Sequence, residues 1–154
     1  MLKYFWSIPL LFLVLSSCDP NRIYDTYSPI PKTGWDYEQR LSFEAGIADT
    51  SQLYNLYVNI RHTDDYAYSN LWIKIYTTYP SGKLLENRVN LPLADKSGKW
   101  LGSGLGSVIS NQVLIQANAR LPEKGNYRFE IQQDMRSNPL PEVMDIGIRV
   151  EKTP

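Results

Sequence analysis

The residues of this 154-residue chain best suited to undergo chemistry are Leu15-Ser16-Ser17-Cys18. They close a short apolar run over residues 4–15 that follows a single basic residue, Lys3. One cation, an apolar stretch and two small residues before a cysteine form the cleavage signal of a bacterial lipoprotein. In that chemistry the Cys18 sulfur takes a diacylglycerol group, and Cys18 becomes the first residue of the mature protein. The run is interrupted by Pro9 and falls short of the roughly 20 apolar residues a membrane-spanning helix needs. Cys18 is the only cysteine, so once it is alkylated the domain has no disulfide available and must stand on its hydrophobic core.

The remaining reactive side chains do not assemble into a recognisable centre. His62 is the only histidine and lies in phase with an apolar strand face, which predicts a hydrogen-bonded structural role. A lone histidine supplies neither a His-rich metal site nor the base of a Ser-His-Asp triad without distant partners. Asp64-Asp65 stands in a turn, where aspartate bonds its own backbone, and no Asp-x-Asp-x-Asp run follows. Gly98-Lys99 lacks the Ser/Thr and upstream glycine of a phosphate-binding loop. Residues 102–106, Gly-Ser-Gly-Leu-Gly, place their glycines one apart with no strand-to-helix signal, unlike a dinucleotide fingerprint. No pair of carboxylates is marked out for acid–base work. The expectation is a chain that is not an enzyme, without catalytic residues, metal or cofactor beyond the covalent lipid on Cys18.

The elements that would carry these residues read as strands. Residues 1–17 form the lipoprotein signal peptide. Residues 18–34 form the lipidated N-terminus and a tether containing Pro20, Pro29 and Pro31. At about 3 Å per residue in extended or polyproline form, such a tether would lift a domain roughly 45 Å off the bilayer. Residues 35–154 form the domain. Alternation of period two runs through residues 35–44, where Trp35, Tyr37, Leu41 and Phe43 share a face, and through Tyr54, Leu56, Val58 and Ile60. It returns in residues 71–76, in about 84–93, in 127–131, and in Met144, Ile146, Ile148 and Val150; a strand within 108–121 has less certain phase. Tyr79-Pro80-Ser81-Gly82 has the composition of a tight turn. Seven or so strands without a helical stripe predict an all-β fold, a single antiparallel β-sandwich with either immunoglobulin-like or jelly-roll connectivity. The 16 basic and 16 acidic residues balance, and loss of Lys3 with the leader leaves an excess of one acid. Neither a nucleic-acid footprint nor a polybasic membrane patch is present.

Several segments, in this order, resemble the GldH-type gliding-motility lipoproteins of the Bacteroidetes. They are the lipidation signal, residues 54–66, Tyr68-Ser69-Asn70-Leu71-Trp72, Leu93-Ala94-Asp95 and residues 98–106. The tail adds Met135-Arg136, Pro139-Leu140-Pro141 and residues 144–152. The resemblance implies an envelope lipoprotein that serves gliding, a process linked to the type IX secretion machinery, with no established catalytic residues. Its implied partners are other envelope proteins of that apparatus, together with the membrane through its acyl chains. The implied location is the cell envelope, with the periplasmic face of the outer membrane favoured. A rival of another class is a surface glycan-binding lipoprotein using Tyr66, Tyr68, Trp72, Tyr76 or Trp100 as an aromatic platform. For protein contacts the candidate residues are Tyr66, Tyr68 and Trp100, carried on loops and amphipathic in character.

The lipidation signal yields the first prediction. Cys18→Ala should abolish metabolic labelling with palmitate and leave uncleaved or soluble protein; normal labelling of that variant would refute the anchor.

Overall fold

The structure, a computed structural model, describes residues 19–154; Cys18 and the signal peptide lie outside the described residues. Eight strands follow one another: β1 (Arg22–Pro29), β2 (Leu41–Ile47), β3 (Leu53–Thr63), β4 (Asn70–Thr78), β5 (Leu84–Pro92), β6 (Val108–Arg120), β7 (Gly125–Gln133) and β8 (Val143–Lys152). They form two four-stranded antiparallel sheets of order β1-β8-β3-β6 and β2-β7-β4-β5. That order nests each early strand with a late one, β4 with β5, β3 with β6, β2 with β7 and β1 with β8. It is the jelly-roll arrangement of a long hairpin folded over on itself, and it settles the connectivity that strand patterns alone leave open. The hairpin apex is the expected turn at residues 79–82, where Gly82 takes a φ of 88° and its N–H donates to the Tyr79 carbonyl.

Between the sheets lies one apolar core. Leu41, Phe43, Ala45 and Ile47 face it from β2, Tyr54, Leu56, Val58 and Ile60 from β3, and Ile146, Ile148 and Val150 from β8. Alternation in the sequence thus converts directly into burial, because successive side chains of a strand point to opposite faces. The turns at residues 48–52, 79–83 and 121–124 close one end of the sandwich. They are joined there by the C-terminus, whose Thr153 N–H donates to Leu53 O, and by Asp19 beside the start of β1. The loops at residues 63–69, 93–107 and 134–142 close the other end.

Three expectations need correction. Residues 22–29 are not tether: they form β1 and pair with β8 along their length. Their sequence hides this because β1 is an edge strand with no fully buried residue, held by Ile23 and Tyr24 against the core and by Asp25 directly opposite Arg149, 2.9 Å away. Trp35 is fully buried but precedes β2, which starts at Leu41. It forms an isolated bridge with Leu140, and its indole N–H donates to Gln39 O at 2.9 Å. In β8 the inward residue is Val143, whereas Met144 is 39% exposed. A register shift opposite Arg61 and His62 makes Met144 the extra residue and puts Val143 on the inner face, while Asp145 keeps its place on the outer face of the sheet.

These assignments carry energetic consequences. Ile60→Ala and Ile148→Ala should each cost about 2–5 kcal/mol in chemical denaturation, as large-to-small changes at fully buried positions. Met144→Ala should stay within about 0.5 kcal/mol of the parent. A neutral Ile60 or Ile148, or a costly Met144, would contradict the register described.

Candidate functional site

The end of the sandwich remote from Asp19 gathers most of the aromatic loop residues. His62, the last inward-facing residue of β3, is fully buried. Trp100 packs edge-on against its ring at 4.6 Å, Tyr66 lies at 5.4 Å, and Tyr68 follows Tyr66 at 5.6 Å. The Tyr66 hydroxyl donates to Asn70 O at 3.0 Å, which ties the β3–β4 loop back onto β4. Burial, and secondarily Tyr68, pushes the Tyr66 phenol well above its ordinary range. His62 Nδ1 bonds the Thr63 carbonyl oxygen at 2.7 Å, an arrangement that assigns the proton to Nδ1. Its Nε2 is then an acceptor, buried and without a partner, as is the Asn111 Nδ2 donor on neighbouring β6. Desolvation lowers the His62 pKa, opposed in part by the bond to Thr63. The buried imidazole, set among aromatic rings, packs the end of the core.

The glycine-rich loop behaves differently. Ser103 exchanges two backbone hydrogen bonds with Ser110, at 3.0 and 2.8 Å, so the loop returns to the free edge of β6 as an isolated bridge. The approach is close enough that a Cβ at Gly102 would collide with Ser110 O, and one at Gly104 with Val108 O. Glycine is therefore required at both positions for steric reasons. This pinning holds Leu101 and Leu105 out in solvent, 57% and 94% exposed. Beside them a groove of about 580 Å³ runs along β6, lined among others by Tyr27, Pro92, Leu101, Ser103 and Leu114. Leu114 and Tyr27 are themselves 48% and 45% exposed.

The floor next to this groove is the outer face of the first sheet. Tyr27, Gly147, Asn59 and Gln112 fall in one cross-strand row, and a Cβ at Gly147 would press on the Tyr27 ring. The missing side chain lets the tyrosine lie across the sheet. Asn59 beneath is buried; it donates to Asp25 at 2.9 Å, while its carbonyl oxygen has no partner. Arg61 clasps Asp145 with both Nε and Nη2, and its guanidinium sits 5.6 Å from the Tyr27 ring centre. Hydrogen bonding to Asp145 raises the Arg61 pKa further. Arg149 gathers Asp19, Asp25 and Glu151. Among the described residues no group of three or more His, Cys, Asp or Glu converges as a metal site.

Of the residues singled out in the sequence, Tyr66, Tyr68 and Trp100 do come together, but as a cap on the core. Tyr66 is 4% exposed and cannot be a contact residue. Trp100 is half-buried against His62, and Tyr68 is the most exposed of the three, with its hydroxyl bonded to Ser137. The proposed sugar platform does not form either: Tyr76 is buried beneath Arg40, and Arg88 covers Trp72 at 4.0 Å. The exposed apolar positions Tyr27, Leu101, Leu105 and Leu114 carried no separate signal in the sequence. Only the glycine spacing around the two loop leucines pointed to their region.

Over residues 22–150 the chain matches the family model described as GldH lipoprotein. The chain belongs to the GldH lipoprotein family. The matched span begins with β1 and ends in β8, so the family unit is the whole jelly roll. A relative named gliding motility lipoprotein GldH homolog, from Christiangramia forsetii, is 34% identical over 92% of this chain and 90% of its own. The gliding motility lipoprotein GldH of Flavobacterium johnsoniae is 25% identical over 93% of this chain and 92% of its own. Among solved structures, the infectious bursal disease virus VP2 subviral particle aligns over 96% of this chain and 38% of that one. Its TM-score is 0.32 and its identity 14%, too distant to inform fold or function.

Two measurements test the cap. Tyr66→Ala should cost about 3–5 kcal/mol, as for other buried aromatic truncations, with Tyr68→Ala far milder. Because the folded-state pKa of His62 is depressed, its contribution to stability is present above the ordinary histidine value of about 6.5 and is lost as pH falls through the folded value. The wild type should therefore lose stability between pH 7 and 5. His62→Gln, weaker at neutral pH, should lose most of that slope; an unchanged slope would assign it to other groups.

Proposed function

We propose that this chain is a lipid-anchored envelope protein that serves the gliding-motility apparatus, and the type IX secretion linked to it, through non-catalytic protein contacts. Membership of a lipoprotein family and the names of its two relatives support the gliding and envelope parts of this reading. The contact part rests on one observation: Leu101, Leu114 and Tyr27 are exposed along a single groove, and the loop that carries Leu101 and the exposed Leu105 is held by glycines that admit no side chain. Exposed apolar side chains that cluster on a rigid support mark interaction surfaces, whereas isolated ones are ordinary. The acyl chains on Cys18 hold the protein at the periplasmic face of the outer membrane, and the groove receives another envelope subunit.

The test is a double substitution, Leu101→Asp with Leu105→Asp, in a gliding host. Lipid labelling and thermal unfolding should be nearly unchanged, since both side chains lie in solvent. Recovery of motility and secretion subunits with the protein, and colony spreading, should drop severely. A variant that is folded and lipidated yet keeps every partner and full spreading would remove this surface from consideration.

A further inference from the structure

We propose that the jelly roll stands directly on the bilayer by the end at which β1 begins, with the turns at residues 48–52 and 121–124 against the lipid headgroups. The inference rests on the reading of Cys18 as the lipidated residue. Cys18 is joined to Asp19 by a peptide bond, which places their Cα atoms about 3.8 Å apart. Asp19 is itself fixed to the domain. Its carboxylate pairs with Arg149 Nη2 at 2.6 Å, its carbonyl accepts from Arg22 N at 3.3 Å, and Asn21 N–H returns to its side chain at 3.1 Å. Asn21 O in turn accepts from Lys152 N at 2.8 Å. Only Asp19, Pro20 and Asn21 separate the lipidated residue from β1, and even fully extended they span about 10 Å.

The acyl chains must lie in the hydrocarbon, and the headgroup layer above it is only about 5–8 Å deep on each side. A leash of this length leaves no gap between the headgroups and the strand end. The surface presented there suits a lipid interface: Asp49 and Glu123 stand among Arg22, Lys83 and Lys124, all but the partly exposed Glu123 open to solvent, with the exposed Leu84 beside Lys83. Charges of both signs suit zwitterionic headgroups, and attachment is left to the acyl chains. At 3.2–3.4 Å per residue, the length of β1 puts the opposite end about 26 Å higher. That end carries Leu101 and Leu105, which therefore stand away from the bilayer at a fixed height.

Depth-dependent quenching tests this placement. Cys18 is the only native cysteine, so in the acylated protein a single introduced cysteine is the sole free thiol. The full lipoprotein carrying Lys124→Cys or Leu105→Cys is labelled with a fluorophore. It is then reconstituted into phosphatidylcholine vesicles containing headgroup spin-labelled phosphatidylcholine. The dye at position 124 should lose most of its emission, and the dye at 105 almost none. Inserting about fifteen Gly/Ser residues between Cys18 and Asp19, a flexible coil, should bring the two values together. If the protein floats with vesicles but both positions quench equally, the placement is wrong and the anchor stands. If the difference survives the insertion unchanged, the short leash is not what orients the domain, and the inference fails. Protein that does not float with vesicles overturns the anchor itself, and the placement with it.

Discussion

The first sheet exists only because β8 pairs with two strands at once. On one side it holds β3, whose inward residues Leu56, Val58 and Ile60 are core. On the other it holds β1, which has no other strand neighbour in the sheet and no fully buried side chain of its own. The ion pairs of Arg149 with Asp25 and Asp19 reinforce the β1 side from the outer face, where the guanidinium is 15% exposed and its carboxylate partners remain partly hydrated. Surface pairs of this kind contribute little singly. Their value lies in the location: they tie the edge strand β1, and with it Asp19, to β8 inside the sheet.

The two ends of the sandwich are built on different principles. At the end that holds Asp19 short turns close consecutive strands, and charged side chains there stand beside the exposed Leu84 and Leu85. At the other end the loops are longer, and they are packed by their own aromatics: His62, Tyr66 and Trp100 cap the core, while Trp35 plugs it from the β1–β2 connection. The cap has a cost visible in the unpartnered His62 Nε2 and Asn111 Nδ2 atoms. It supplies a stiff base for the glycine loop, whose two leucines would otherwise collapse onto the nearest apolar surface.

Most of the second sheet and the middle of the first could be read from alternation, because β2, β3, β4 and β7 each present one wet and one dry face. What could not be read has particular causes. β1 lies at an edge, where neither face is fully covered, so its polar sequence looks like linker. β8 changes phase at Val143 because the register shifts opposite Arg61 and His62, and no residue type announces such a shift. β6 carries two irregularities against β3, near Tyr54 and Leu56, which blur its pattern. In the loops, aromatic residues that cap a core and aromatic residues that meet a partner have the same composition. Tyr66 was therefore legible as important and illegible as buried, while Leu105 gave away its exposure only through the glycines on either side.

The nesting of first strand with last has a bearing on export. As the chain threads through a translocation pore amino end first, β2, β4, β5 and β7 all emerge before the final segment, yet the first sheet still lacks its middle strand. Until residues 143–152 arrive, β1 has no neighbour and β3 is paired on one side only. A chain that emerges amino end first therefore cannot complete its jelly roll until the last strand, residues 143–152, is free.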